Sequence, residues 1–437
     1  MGLDYSKLLV GSAKEAPKTV LVPPLFERDL KARSRMVKSS YDYQFAKPAL
    51  RWLFNDYYGE GLNSVLYFAP TVDPRVSVKA KIGSADAGTL CLRFQPLGVR
   101  EPLCFADIKA SPRSAGDVTL RLCGFSAEQG LGAFATLPMA KHVSGKRAQL
   151  GLRYSSPLLS VGAIVQPATA SLSSVWVVGR HEDITAGVQL SPGLPLGAPS
   201  GAASWLRQEL SAAGGAAEWL RGVSSVALAY SPEGGRGRGA RTRGGQPTFT
   251  AAMEMQEGRN FIVSFFQHMA AVRQVFNPIE SNDVIGITNY IDVGMQLQVP
   301  LTVDPKSGAA EAPGLRIAAS WQANKNVLLK GRLGSDGVAL LAAFKSWFQP
   351  SLAVAGCCEY SFAHRALRYG VCVQVENFGA LRYERSREVA AHGRTLTQRH
   401  EATNAEVAMS EGDRPLVGRD AADAAFNPEE PVSVEYL

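Results

Sequence analysis

The sequence predicts an all-β protein: a closed antiparallel transmembrane β-barrel of about nineteen strands, with an amphipathic helix near the N-terminus. About nineteen segments of roughly 7–11 residues alternate apolar with small or polar side chains, as the wall of a membrane barrel does. Clusters of Gly, Pro, Ser and Asp separate these segments, and most gaps are too short for a helical crossover, which favours antiparallel neighbours. No run approaches the ~20 apolar residues that a membrane helix needs, so this is not a helical membrane protein.

Residues 1–60 are predicted as an N-terminal extension that contains the amphipathic helix. Pro23 and Pro24 precede helix-tolerant residues, and proline is favoured in the first turn of a helix. Apolar side chains, Leu25 among them, then form one face opposite Arg and Lys side chains. The aromatic-rich block 46–60 fits either a second helix or the first strand.

Residues 61–378 are predicted to form the barrel itself. The clearest hairpin joins Val327–Leu333 to Val338–Trp347 through Asp336-Gly337, and an Asp-Gly pair between two alternating runs is a strong hairpin signal. A soluble sandwich or propeller gives a similar alternation. However, no internal repeat of about 40–50 residues marks a propeller in this sequence.

Two interruptions and a tail complete the predicted domain organisation. Residues 191–222 and 231–247 lose the alternation and are predicted as loop insertions in the barrel. Residues 379–437 lose it as well, and the part from Glu401 onward is acidic and rich in Ala, Asn and Pro. The sequence therefore predicts a mostly solvated, acidic C-terminal tail.

Cationic side chains recur on the polar faces of the predicted strands. In the segment that ends at Ile82, for example, Lys79 and Lys81 alternate with Val and Ala. If the apolar faces contact lipid, the polar faces line a lumen. The predicted cationic, pore-lining residues are Arg75, Lys79, Lys81, Arg93, Arg121, Arg153, Lys330 and Arg332. The other interpretation is the solvated outer face of a soluble sheet, where Lys and Arg are common.

The net charge and the few acids on the polar faces indicate which molecules the protein would bind. The net charge is +7 and the pI is about 9.0, which suits anionic solutes, anionic lipids or nucleic acid. The matching acids on the polar faces are fewer: Asp107, Glu254, Asp292 and Glu376. The Arg-Gly tract at 234–245 could bind RNA if disordered, but a loop insertion is the favoured interpretation. We therefore expect a net positive lumen and no nucleic-acid partner.

Motifs of catalysis and metal binding are absent from the sequence. Its six cysteines contain no CxxC and lie in strand-like segments, and its six histidines form no metal-spaced pair. It contains no Gly-rich phosphate-binding motif, no HExxH and no GxSxG. The sequence therefore predicts no enzyme, no metal site and no cofactor.

Three stretches resemble the eukaryotic mitochondrial porin superfamily, the voltage-dependent anion channels. Val22–Phe26, with Tyr41 further on, resembles the N-terminal helix region of that family, and Val327–Gly356 resembles its closing strands. The last predicted strand is similar to the sorting signal of mitochondrial outer-membrane barrels, which has the order polar, x, Gly, x, x, hydrophobic, x, hydrophobic. The matching residues are Arg368, Gly370, Val373 and Val375.

The resemblance implies a nineteen-stranded barrel in the mitochondrial outer membrane, or in the plastid outer envelope, with a helix in or near the pore. It implies contact with the lipid bilayer and diffusion of small anionic metabolites and ions. The insertions and the longer ends depart from the family and suggest protein partners at 191–222, 231–247 and 379–437. The alternatives are a non-conducting barrel that serves as a structural or protein-import component, and a soluble all-β binding protein.

Overall fold

The structure is a computed structural model of the chain. It describes residues 18–21, 37–55, 57–58, 60–68, 76–83, 88–94, 103–111, 117–126, 129–139, 148–156, 158–169, 171–181, 183–191, 194–195, 224–232, 248–275, 284–301, 313–324, 326–346, 350–377, 381–385 and 395–400. Most of the two predicted insertions and of the predicted tail lies outside these residues.

Nineteen strands form the wall, and each lies where the sequence predicts an alternating segment. They are β1 (Gly61–Phe68), β2 (Val76–Gly83), β3 (Thr89–Phe94), β4 (Leu103–Ser111), β5 (Asp117–Ser126), β6 (Leu131–Pro138), β7 (Gln149–Ser155), β8 (Leu159–Gln166), β9 (Ser171–His181), β10 (Ile184–Leu190), β11 (Ser224–Tyr230), β12 (Thr248–Gln256), β13 (Asn260–Val275), β14 (Val284–Pro300), β15 (Gly314–Gln322), β16 (Val327–Gly334), β17 (Gly337–Ser346), β18 (Ser351–Ser361) and β19 (Ala366–Asn377).

The wall is a closed barrel. Each of β1 to β18 pairs antiparallel with the next strand along the chain. The first and last strands close the ring as a parallel pair, with Gly61 opposite Gly370 and Phe68 opposite Asn377. An odd number of alternating strands leaves the first and last running in the same direction. The predicted closed barrel is therefore confirmed, and it differs from a wholly antiparallel one at this closing pair.

The two faces of the wall differ in character. Large apolar side chains point outward and are exposed, including Ile82 (66%), Leu152 (68%) and Leu340 (61%). The inner face carries the buried polar and charged residues together with buried aromatics such as Trp176 and Phe266. Successive residues of a strand point to opposite faces, so the predicted alternation sorts the side chains in this way. The wall is apolar outside and partly polar inside, the reverse of a soluble protein.

An N-terminal stretch, residues 37–55, lies inside the barrel and is called the lumen segment below. It contains a 3₁₀ turn (Ser40–Tyr43) and one helix, α1 (Lys47–Asn55). Ser39 caps the 3₁₀ turn, because its hydroxyl accepts a hydrogen bond from the Tyr41 N–H at 3.1 Å. The 3₁₀ turn contacts β8, β9 and β10, and α1 contacts β14, β15 and β16. The lumen segment therefore lies along about half of the inner circumference.

A strained junction separates the 3₁₀ turn from α1. Phe45 and Ala46 both adopt left-handed backbone, with φ of 62° and 56°, and both side chains are buried. Non-glycine residues rarely adopt this conformation, which costs roughly 1–2 kcal/mol per residue. Packing against the wall must hold this junction in place.

The helix lies in a different place from the predicted amphipathic helix. The stretch predicted from Val22 lies, up to residue 36, outside the described residues. The helix that the structure shows falls in block 46–60, so the helical interpretation of that block is confirmed. None of the described helices is long and apolar enough to cross a membrane.

The two strands on either side of the lumen segment lie at opposite mouths of the barrel. A short strand, Lys18–Leu21, pairs in parallel with Val284–Ile287 at the mouth where β13 ends and β14 begins. Because strand directions alternate, β1 starts at the opposite mouth, at Gly61. The lumen segment, residues 37–55, comes between these two strands in the chain.

Short strands also occur in regions predicted as loop and tail. Leu381–Arg385 and Thr395–His400 form an antiparallel hairpin, and the second of them pairs in parallel with Lys18–Leu21. A two-residue strand, Leu194–Pro195, pairs with the start of β9. Backbone pairing with partners distant in sequence forms these elements, which is why local alternation does not reveal them.

Candidate functional site

The inner face of the wall and the lumen segment form the candidate functional site. Arg75 lies outside the described residues. The other predicted pore-lining cations occupy inner-face positions of their strands. They are Lys79 and Lys81 on β2, Arg93 on β3, Arg121 on β5, Arg153 on β7, and Lys330 and Arg332 on β16. Their role in lining a pore stays a prediction, and their surroundings differ strongly.

Arg93 and Arg121 share one carboxylate, that of Asp107. Arg93 Nε and Nη2 donate to Asp107 Oδ1 and Oδ2 at 2.6 and 2.8 Å. Arg121 Nη2 donates to the same Oδ2 at 2.6 Å. Asp107 is fully buried, with 0% exposure. Register produces this triad, because Asp107 lies directly opposite Arg93 on one side and Arg121 on the other.

Arg153 and the two cations of β16 bind the lumen segment. Arg153 is buried and donates to the Ser40 hydroxyl. Lys330 donates to the Trp52 carbonyl, and its Nζ lies 4.2 Å from the centre of the Tyr57 ring. Arg332 Nη1 donates to the Phe54 carbonyl oxygen at 2.8 Å, and its guanidinium also contacts Glu359. A cation at a helix C-terminus satisfies carbonyls that have no partner within the helix.

Three lysines, Lys79 and Lys81 on β2 and Lys109 on β4, occupy inner-face positions. Lys81 and Lys109 are exposed, and neither has an ion-pair partner among the described residues. Lys79 is half-buried, with its Nζ 4.6 Å from the centre of the Tyr67 ring. These lysines place positive charge on the inner face of β2 and β4.

The remaining predicted acids are also paired and buried. Glu254 is 8%, Asp292 is 3% and Glu376 is 1% exposed. Asp292 contacts His268, and Glu376 contacts Lys345 and Gln374. Unpaired buried carboxylates would be costly, so each occupies a position where a neighbouring strand or the lumen segment supplies a donor.

Glu254 fastens the lumen segment to the wall. Tyr41 Oη and Lys47 Nζ donate to Glu254 Oε1 at 3.0 and 2.7 Å. The Lys47 ammonium also lies 4.0 Å from the centre of the Tyr41 ring. Burial and the neighbouring carboxylate raise the pKa of Tyr41, which keeps its hydroxyl as the donor. Burial lowers the pKa of Lys47, and the adjacent carboxylate opposes that shift.

Two inner-face glycines make room for the lumen segment. A Cβ at Gly187 would lie 2.9 Å from Phe45 Cζ, closer than real side chains approach. A Cβ at Gly294 would lie 2.8 Å from Leu53 Cδ1 and 2.9 Å from Leu50 Cδ2. Side chains at these two positions would push the lumen segment away from the wall. The wall is therefore shaped to seat it.

The predicted sorting residues lie on β19. Arg368 is exposed opposite Glu359, and Gly370 is buried on the inner face opposite Gly61. Val373 and Val375 are half-buried and lie on the opposite, outward face. The structure describes their positions in the closing strand, and targeting stays a prediction.

Sequence reasoning missed the charged residues of the lumen segment. Lys38 and Arg51 are exposed inside the barrel, and Lys47 anchors the segment. Their positions outside any strand gave no alternation to detect. The closest indication in the sequence was the aromatic-rich block 46–60. It allowed a helix to be predicted there, but not the position of that helix inside the lumen. In the part of the chain that the structure describes, no cluster of three or more His, Cys, Asp or Glu residues could hold a metal ion.

Comparisons with known proteins identify no family for this chain. No family model matches it, and no curated protein matches it. A solved structure that matches is a triple mutant of the Rhodopseudomonas blastica porin, with a TM-score of 0.30 and 10% sequence identity. The match covers 66% of this chain and 89% of that chain. Similarity at this level is too low to show a common fold or function.

Proposed function

We propose that this chain is an outer-membrane β-barrel channel through which small anionic solutes and ions diffuse. One observation supports this proposal most directly: on the inner face, the acidic side chains are paired with basic ones, whereas some basic side chains remain exposed. The inner-face carboxylates of the wall whose side chains the structure describes each contact a basic side chain, and they are Asp107, Glu254, Asp292, Glu359 and Glu376. Lys81 and Lys109 remain exposed. Rings of exposed Lys and Arg favour anions in a pore.

The outer face supports placement in a membrane. Exposed apolar side chains cover it, and hydrocarbon is the environment in which such a surface is stable. The parallel pairing of β1 with β19 leaves no open edge in the wall. A closed ring of strands satisfies every backbone group without water, which is the condition for crossing a bilayer.

The proposed location is the mitochondrial outer membrane, with the plastid outer envelope as the alternative. The support is the arrangement of the last strand, where Val373 and Val375 point outward and Gly370 is buried inward. Exchanging both valines for glutamine should reduce insertion into isolated mitochondria. Exchanging the inward Gln374 for asparagine is the matched control and should leave insertion unchanged.

Charge reversal tests the proposed lumen. The triple variant Lys79→Glu, Lys81→Glu, Lys109→Glu should shift the reversal potential in a salt gradient away from anions. The same reversal at Arg259, which lies exposed in the turn between β12 and β13, is the control. An unchanged reversal potential in the triple variant would remove these lysines from the ion pathway.

A second candidate function is a non-conducting barrel that serves as a structural or protein-import component. The observation that favours it is the lumen segment, which contacts strands from β8 to β16 and narrows the lumen. Such a barrel would bind proteins through 191–222, 231–247 and 379–437. A silent but inserted barrel that purifies with a stoichiometric partner would favour this function over diffusion.

A further inference from the structure

Cations gather where the lumen segment approaches β4 and β5. Val37 belongs to the same buried apolar cluster as Phe105 of β4 and Cys123 of β5. The next residue in the chain, Lys38, is exposed to the lumen. This packing brings the beginning of the lumen segment to the part of the wall that carries the inner-face residue Lys109.

The cations of this cluster come from two separate elements. Lys38 and Arg51 belong to the lumen segment, and Lys109 and Arg121 belong to the wall. The pKa of Lys38 is lowered, first by partial desolvation and next by the positive charge of Arg51. Arg121 and Lys109 lower it further, and Asp42 opposes them. Lys38 is therefore close enough to each of the other three cations to be repelled by it. Strand register also makes Lys109 and Arg121 diagonal neighbours on the inner face, because Lys109 lies opposite Thr119 and Asp107 opposite Arg121.

Nearby carboxylates leave a positive excess. Asp107 is already shared between Arg93 and Arg121. Burial raises the pKa of Asp42, which weakens its hold on a negative charge, although Lys47, Lys38 and Arg51 oppose that shift. Lys38, Arg51 and Lys109 have no ion-pair partner among the described residues.

We infer that Lys38, Arg51, Lys109 and Arg121 form a binding site for a multiply charged, phosphate-type anion between the lumen segment and the wall. A monovalent ion would offset one charge, whereas an anion with several charges contacts cations on both elements at once. The inference rests on the proposed function, because the anion reaches this site through the lumen. It deepens that function by assigning the strongest anion binding in the lumen to a site that the lumen segment and the wall form together.

Equilibrium binding of inorganic pyrophosphate to the purified full-length protein in detergent tests the site. The double variant Lys38→Gln, Arg51→Gln should raise the dissociation constant roughly tenfold, because each exposed charge contributes a modest share. Arg259→Gln is the matched control, since Arg259 is a cation that lies exposed in the turn between β12 and β13. It should change the dissociation constant less than about twofold. Binding should also weaken as salt increases.

Bilayer recordings separate this inference from the proposed function. Pyrophosphate should reduce the chloride current of the unaltered protein, and the double variant should need roughly tenfold more pyrophosphate for the same reduction. Equal binding by the double variant and the unaltered protein would overturn the site, even if the barrel conducts anions. A silent barrel would overturn the channel, and the titration would still decide the site.

Discussion

Lys47 of α1 and Glu254 of β12 form an ion pair of 2.7 Å across 207 residues of sequence. The pair joins the lumen segment to the wall near the middle of its contact with the barrel, and Tyr41 binds the same carboxylate oxygen. The segment is therefore held by charge and hydrogen bonds as well as by apolar packing. Its position decides how much of the lumen is open.

Removing the charge of Glu254 should loosen the lumen segment. Glu254→Gln leaves the partly buried Lys47 ammonium without its carboxylate partner. Removing one partner of a buried ion pair typically lowers the free energy of unfolding by about 3–5 kcal/mol. We expect a lower free energy of unfolding in urea and more variable single-channel currents. Glu257→Gln, three residues away in an exposed turn, is the control. Equal stability of the Glu254→Gln and Glu257→Gln variants would show that the pair does not hold the segment.

A larger side chain at Gly294 should displace α1 while the barrel wall stays folded. A valine there would overlap with Leu50 and Leu53, and overpacking costs about 1–3 kcal/mol. We expect Gly294→Val to change the unitary conductance. Gly356→Val is the matched control, because nothing lies within 4 Å of a Cβ at that glycine of β18. An identical conductance in the two variants would contradict the seating of α1 on β14.

Glycine at position 46 should stabilise the protein. Ala46 has a φ of 56°, a conformation that glycine adopts without strain, so Ala46→Gly should raise the free energy of unfolding by about 1 kcal/mol. Ala49→Gly, a substitution of a second buried alanine inside α1, should lower it by about 1 kcal/mol. Urea unfolding measures both. The same sign for both variants would argue against the strained junction.

Anion selectivity should respond to the protonation of Asp42. Burial raises the pKa of this carboxyl, so it takes up a proton at a higher pH than its ordinary value of 3.8. As the pH falls through the raised pKa, a negative charge near Lys38 and Arg51 disappears and anion preference should increase. Reversal potentials measured from neutral pH downward report this step. Asp42→Asn should remove it, whereas Glu257→Gln should retain it.

The raised pKa of Asp42 also decides whether the protein becomes more or less stable as the pH falls. A carboxyl whose pKa is higher in the folded state binds its proton more tightly there than in the unfolded chain. Lowering the pH from the raised pKa toward 3.8 should therefore favour folding through Asp42, with no further gain below that value. Asp42→Asn should lack this contribution in a comparison of unfolding midpoints across that pH range.

The strands could be predicted from the sequence because each one carries its own signal. Alternation places Leu90 and Leu92 outward and Arg93 inward without knowledge of any other strand. The closing pair follows from the number of strands and not from local pattern. Block 46–60 was ambiguous because its nine-residue helix is short, and its burial depends on glycines such as Gly294 far along the chain.

The charge state of the candidate site could be predicted only in part. Alternation along each strand identified the inner-face cations. It could not show that Arg93 and Arg121 share one carboxylate, while Lys109 has no ion-pair partner among the described residues. That distinction depends on the register between neighbouring strands and on the path of the lumen segment. Lys38 and Arg51 carried no signal, because their exposure arises from tertiary placement.

Single-channel recording of the purified protein in a planar bilayer under a potassium chloride gradient tests the central claim most directly. The cationic lumen predicts stepwise currents whose reversal potential has the sign of chloride preference. Cation-selective currents would contradict the assignment of the exposed lysines to the pathway. An inserted barrel that stays silent would contradict diffusion and favour the non-conducting alternative.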